Sequence, residues 1–217
     1  MRKTNPMIGL LRYFYYDSGG NIKIAVVFVL IMGIAALITG NFFVKNIFSL
    51  VSIAGIPYLL IMKMGGKNYP KWERFQLTMP IKRSHLIGSQ YLCILLGALA
   101  GLPLVILIGT INFSIREIDY AFTIELANIL ATFGMPLTMA GVLYPLSSTK
   151  FGENKGEIFF LVGIAAAVGI DLLARTFIGN ILEWPYELAS LVSFAAAVTI
   201  FVVSYFITSK QYANMDF

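Results

Sequence analysis

The sequence predicts an all-α membrane protein built from six transmembrane helices in a single domain over residues 1–217. The chain is 58% hydrophobic and only 12% charged, whereas soluble domains are about 25% charged. Its mean hydropathy is +0.80. Six apolar runs approach or exceed the length of about 20 residues that a spanning helix needs. They are continuous, unlike the alternating segments of about 10 residues in a membrane barrel.

The chain begins with a predicted amphipathic helix that precedes the first span. Pro6 suits the first position of a helix capped by Asn5. The apolar residues that follow share one broad face, as in a helix lying in the inner membrane interface: Met7, Leu10, Leu11 and Phe14. We expect Ser18-Gly19-Gly20 to end this helix, so that residues 1–21 form an interfacial helix and linker. The alternative is a disordered basic leader.

The six predicted spans follow in order, with short connections between them. They cover approximately residues 22–39, 42–62, 86–113, 122–146, 158–174 and 188–208. Gly40-Asn41 predicts a tight turn between the first two spans. The longest polar connection, residues 63–85, lies between the second and third spans.

Basic residues are concentrated in alternate connections. With the N-terminus in the cytoplasm, 13 of the 16 Lys and Arg residues lie on the cytoplasmic side, and the exceptions are Lys45, Arg116 and Arg175. The positive-inside rule therefore predicts a multi-pass protein with both termini cytoplasmic. The net charge of +5 has the same explanation, and we expect no nucleic-acid partner.

The connection over residues 63–85 contains a second predicted helix. Pro70 and Pro80 bracket residues 71–78, and one side of this short helix carries Trp72, Phe75 and Met79. Aromatic residues between charges favour docking to a cytoplasmic partner. They equally suit a helix that lies flat on anionic lipid headgroups. The residues themselves leave both alternatives open.

The next cytoplasmic connection, residues 147–157, mixes basic and acidic side chains. Lys150 and Lys155 alternate with Glu153 and Glu157. This segment is either a second contact with a partner or a solvated turn, and turns are the commoner role of such loops.

Two carboxylates fall within predicted spans. Glu125 and Asp171 are functional candidates because ionisable residues in membranes usually have a role. Since both lie near the outer ends of their spans, the alternative is that they reach the headgroups. The chain has no G-x-x-x-x-G-K-[ST] motif and no zinc signature. We therefore expect a protein that is not an enzyme and that has no ATPase site, metal or bound cofactor of its own.

Two runs of residues resemble the signatures of small ABC-2-type transporter permeases. The first is residues 71–92, KWERFQLTMPIKRSHLIGSQYL, and the second is Tyr144-Pro145-Leu146 followed by residues 151–156, FGENKG. The six-span layout and the amphipathic leader also fit this family. Among its members, the chain most resembles the permeases of phenol-soluble modulin exporters and related Gram-positive peptide exporters.

This resemblance implies a type V (ABC-2) exporter-like fold and a half-transporter. Two permease chains, identical or different, would pair in the plasma membrane of a Gram-positive bacterium. Each would bind a separate P-loop ATPase that holds ATP and Mg. The cargo would be an amphipathic or antimicrobial-type peptide. The runner-up is an accessory or immunity protein that sequesters a toxic peptide without transporting it.

The resemblance also assigns roles to residues. It favours docking over lipid binding for residues 71–78, which become the coupling helix of the ATPase contact. The contact residues it implies are Lys71, Trp72, Glu73, Arg74, Phe75, Gln76 and Pro80. A candidate second ATPase contact comprises Phe151, Gly152, Glu153 and Lys155.

Overall fold

A computed structural model describes residues 6–64, 82–116, 122–147, 156–174, 176–178, 182–183 and 185–213. Within these ranges the chain is helical and contains no strand. The helices are α1 (Pro6–Thr39), α2 (Phe42–Met64), α3 (Arg83–Arg116), α4 (Phe122–Ser147), α5 (Gly156–Ala174) and α6 (Tyr186–Ala213). The predicted all-α class is therefore confirmed for the described part of the chain.

Five helical stretches are long and apolar enough to cross a membrane. They are Ile22–Thr39, Arg83–Asn112, Thr123–Ser147, Leu161–Ile178 and Tyr186–Ala213. The apolar stretch of α2 is shorter and covers Phe43–Leu59. The predicted coupling helix over residues 71–78 lies outside the described residues.

Helix α1 differs from the prediction, because it is one continuous helix of 34 residues. The predicted end at Ser18-Gly19-Gly20 is wrong. A glycine in a helix interior costs about 1 kcal/mol relative to alanine, which weakens the helix without interrupting its backbone hydrogen bonds. At 1.5 Å per residue, α1 is about 51 Å long. It is thus longer than the roughly 30 Å hydrocarbon layer.

The tight turn predicted at Gly40-Asn41 is confirmed. Gly40 has a positive φ of 57°, a conformation that favours glycine, and its N–H donates to the carbonyl of Ala36. The Asn41 Oδ1 accepts a hydrogen bond of 2.8 Å from the N–H of Phe43. One residue therefore ends α1 and the next caps α2.

Helix α4 is the central helix of the bundle. Of its apolar window, 61% is buried, against 17–33% for the other four candidate spans. Small residues bring its neighbours close: a Cβ added to Gly141 would lie 2.8 Å from Cγ2 of Ile200 on α6. At the crossing of α2 and α3, a Cβ on Gly101 would overlap the carbonyl oxygen of Ser52. Small residues thus permit close helix packing at both crossings.

Candidate functional site

Contacts between helices define two ends of the bundle. The first, called here the Glu125 end, is fixed by an ion pair between Lys45 near the start of α2 and Glu125 near the start of α4. The start of α6 lies at the same end, since the Tyr186 hydroxyl donates to Oδ1 of Asn128 on α4 at 2.6 Å. Helices α2, α4 and α6 therefore run in the same direction.

The second, called here the Arg83 end, contains the start of α3 and the end of α6. Nη1 of Arg83 donates to the carbonyl of Tyr212 at 2.7 Å. Because α6 starts at the Glu125 end, α3 runs opposite to it. Helix α5 also runs opposite, since Asp171 near its end contacts Ser193 near the start of α6.

The two segments assigned to ATPase docking are joined to helices at the Arg83 end. Residues 65–81 follow the end of α2 and precede α3, and residues 148–155 follow the end of α4 and precede α5. The start of α1 and the end of α6 lie at this end too. The docking residues themselves, from Lys71 to Pro80 and from Phe151 to Lys155, lie outside the described residues, so their roles stay predictions.

Charge is unequally divided between the two ends of the described bundle. The Glu125 end carries one described basic side chain, Lys45, against the acidic Glu125, Asp171, Glu183 and Glu187, whereas Arg12, Lys23, Lys82, Arg83 and Lys210 lie towards the Arg83 end. This is the asymmetry that the positive-inside rule associates with a cytoplasmic end.

Glu125 is built into a contact among three helices. Its Oε1 lies 2.8 Å from Nζ of Lys45, and the two side chains are 20% and 23% exposed. A Cβ on Gly109 of α3 would overlap this same oxygen, so glycine makes room for the carboxylate. Pairing lowers the cost of holding either charge inside a membrane.

Asp171 lies inside the bundle, with 8% of its surface exposed. Its Oδ1 accepts a hydrogen bond of 3.3 Å from Oγ of Ser193. The contact joins α5 to α6 near the Glu125 end. The structure thus places Glu125 and Asp171 in separate interhelical contacts, and whether either acts in transport stays a prediction.

Sequence reasoning missed several buried polar side chains. Asn112, three residues after Gly109 on α3, has both amide atoms buried without a hydrogen-bond partner among the described residues. Tyr91 is buried near the Arg83 end with its hydroxyl between Ser204 and Thr208. Both lie near the polar ends of the third predicted span, beside Thr110 and Ser114 or Ser89 and Gln90, so the sequence did not show which polar side chains of these segments are buried.

A cavity of about 660 Å³ lies between α1, α2, α4 and α5. Its walls are apolar and include Ile24, Phe28, Val51, Met139, Ile164 and Val168. Such a cavity accommodates hydrocarbon or apolar side chains and offers no charged group to a ligand. Among the described residues, no group of three His, Cys, Asp or Glu side chains is placed to hold a metal ion.

The fold and the apolar surface of its helices define a multi-pass helical membrane protein. The family model described as "ABC-2 family transporter protein" matches residues 11–213, almost the whole chain. The chain therefore belongs to the ABC-2 transporter family, whose members are membrane subunits that normally work with a separate ATPase subunit. Neither a curated protein nor a solved structure matched the chain.

Proposed function

We propose that this chain is the permease subunit of an ATP-driven exporter of amphipathic peptides. The observation that carries the proposal is the common location of the docking segments. Both are joined to helices at the Arg83 end, in a chain whose family match runs from residue 11 to residue 213. An ATPase bound at that end can contact both segments at once.

In this proposal residues 71–78 form the coupling helix, and Trp72, Glu73, Arg74 and Phe75 enter a groove of the ATPase. Lys71, Gln76 and Pro80 flank that contact. Phe151, Gly152, Glu153 and Lys155 make a second contact. ATP and Mg bind in the ATPase. Closure of the ATPase shifts the bundle because its affinity for the two permease states differs.

We also propose that α2 is a sixth span, which the directions of the helices support. Helix α2 starts at the Glu125 end, where Lys45 meets Glu125, and the chain resumes at the Arg83 end with α3. Its 23 residues extend about 34 Å, which is enough to cross the hydrocarbon layer. With six crossings both termini would lie on one side, and the basic residues there support the proposal that this side is cytoplasmic.

The cargo proposal rests on chemistry and on the resemblance to phenol-soluble modulin exporters. The apolar cavity and lipid-facing helices suit a peptide with one apolar face, taken up from the inner leaflet. A second permease chain, identical or different, completes the transporter. The expected setting is the plasma membrane of a Gram-positive bacterium.

The test is purification of the tagged full chain from its native cells in mild detergent, followed by an ATPase assay. We expect a P-loop subunit in roughly equal amount, with ATP turnover that responds to a synthetic amphipathic helical peptide. Phe75→Asp should remove the ATPase subunit, because it places a charge in an apolar contact. Phe75→Leu is the control and should retain it.

Two results would refute the proposal in different ways. A chain that purifies alone under conditions preserving other ABC complexes would contradict the exporter function and favour peptide sequestration. A complex that survives Phe75→Asp with normal transport would leave the exporter function intact but refute the assignment of the coupling helix.

A further inference from the structure

Arg83 caps the end of α6. As the first residue of α3, it donates from Nη1 to the carbonyl of Tyr212 at 2.7 Å and to that of Ala213 at 3.3 Å. These are the last two residues of α6. The final carbonyls of a helix lack intrahelical donors and form the negative end of the helix dipole. The Arg83 guanidinium group donates hydrogen bonds to these carbonyls and places a positive charge at the negative end of the dipole.

A second polar contact joins the same two helices further into the bundle. The Tyr91 hydroxyl lies 2.6 Å from Oγ of Ser204 and 3.1 Å from Oγ1 of Thr208. All three residues are buried. Because Ser204 and Thr208 are one turn apart on α6, they hold the hydroxyl between them. An unpaired hydroxyl at this depth would be costly.

The two contacts are in matching register. Eight residues separate Arg83 from Tyr91 along α3, and eight separate Tyr212 from Ser204 along α6, a spacing of about 12 Å on each helix. Antiparallel neighbours joined at two such points resist both sliding and rotation. The Tyr91 ring is also fixed, stacked 4.6 Å from Tyr144 of α4 and 4.9 Å from Phe201.

The location of these contacts lets them transmit movement between helices. Arg83 closely follows residues 65–81, the segment that contains the proposed coupling helix. A force on that segment reaches α3 through the chain but reaches α6 through side-chain contacts. Helix α6 then leads to the Glu125 end, where Ser193 meets Asp171.

We propose that Arg83 and Tyr91 form a clasp that makes α3 and α6 move as one unit when the coupling helix is displaced. The clasp comprises Arg83, Tyr91, Ser204, Thr208 and the carbonyls of Tyr212 and Ala213. Arg83 is thus a positioning residue of transport. This proposal rests on the proposed exporter function and names the route by which its coupling step reaches the far end of the bundle.

The experiment measures peptide exported per ATP hydrolysed, using the whole complex in lipid vesicles and a fluorescent synthetic amphipathic peptide. Arg83→Ala should leave the ATPase bound and hydrolysing while the ratio falls at least about tenfold, because the substitution removes two hydrogen bonds and the loss of even one hydrogen bond to a charged group has an effect of that size. Arg83→Lys should recover part of the ratio, because an ammonium can still donate to a carbonyl. Lys210→Ala, which removes an exposed charge from the last turn of α6, should match wild type.

An unchanged ratio in Arg83→Ala would overturn the clasp. If export falls only in parallel with the amount of assembled complex, Arg83→Ala has weakened assembly, and the cross-linking experiment then decides. If wild type itself shows no bound ATPase or no peptide-dependent export, the failure belongs to the proposed function instead.

A cross-linking experiment keeps the test decisive should Arg83→Ala assemble poorly. In a Cys93→Ala chain that also carries Lys82→Cys and Ala213→Cys, the two introduced thiols are joined by a short, flexible and cleavable bifunctional thiol reagent. If α3 and α6 move together, the linked transporter should export peptide normally. The cross-linking yield should also be equal before and after ATP addition. Blocked export in the linked chain, restored by cleaving the linker, would show that α3 and α6 separate during transport and would refute the clasp.

Discussion

Gly101→Ala should destabilise the bundle at the crossing of α2 and α3. An added Cβ would overlap the carbonyl oxygen of Ser52 and lie 2.8 Å from Cα of Ile53. Both atoms belong to the backbone, so no side chain can rotate away and the two helices must separate. Overpacking of this kind costs about 1–3 kcal/mol, and we expect about 2 kcal/mol for this clash.

The same substitution at Gly169 isolates the steric cost. No atom lies within 4 Å of a Cβ built there, and Gly169 is also inside a helix. Both variants therefore gain the roughly 1 kcal/mol by which alanine exceeds glycine in helix propensity. The difference in unfolding free energy between Gly101→Ala and Gly169→Ala is then the cost of the steric clash alone, approximately 2 kcal/mol.

Thermal unfolding of the purified chain in detergent provides the assay. For a chain of this length, about 2 kcal/mol corresponds to a difference in Tm of roughly 4–8 °C. Gly169→Ala should melt above wild type, and Gly101→Ala should melt below Gly169→Ala by that amount. Equal melting temperatures for the two variants would show that α2 and α3 do not touch at Gly101, and would refute this helix crossing.

Further substitutions test three other features of the bundle by the same melting assay. Gly20→Ala should stabilise the chain by about 0.5–1 kcal/mol because α1 continues through it, whereas Gly40→Ala should destabilise it because φ is positive there; stabilisation by both would contradict the turn. Glu125→Gln should cost about 1–3 kcal/mol by removing the negative charge beside Lys45, a value between those of an exposed and a fully buried ion pair. A double-mutant cycle with Lys45→Met that shows no coupling would contradict the ion pair. Tyr91→Phe should lower the free energy of unfolding by roughly 1 kcal/mol, because it removes the hydroxyl that bonds to α6. An unchanged melting temperature would indicate that this hydroxyl is in water instead.

The fold class was predictable because hydropathy indicates which parts of the chain lie within the membrane. An apolar run reveals how far a helix extends through the hydrocarbon, and the distribution of basic residues reveals direction. The failure at Ser18-Gly19-Gly20 has a local cause. Two consecutive glycines weaken a helix, yet their cost of about 1 kcal/mol each is small beside the cooperative hydrogen bonding of the turns on either side.

The partners of polar residues were much harder to predict than their depth. Lys45 and Glu125 were both placed near the same membrane surface by the sequence, so their pairing was accessible in principle. One cation and one anion at equal depth each need a partner. The sequence does not show which faces of α2 and α4 meet. The pairing also depends on α3, where Gly109 leaves room for the Glu125 carboxylate.

Arg83 and Tyr91 show why the partners of polar residues are hard to predict from sequence. Both belong to the run that resembles the permease signature, where Arg83 counts as one of several cytoplasmic cations and Tyr91 as an apolar contact. Their partners lie more than a hundred residues away on α6. Hydropathy reports whether a side chain is within the membrane but carries no information on the direction it faces around the helix. That direction is set when helices pack, and here it turns two separate residues of α3 towards one face of α6, where they can act together.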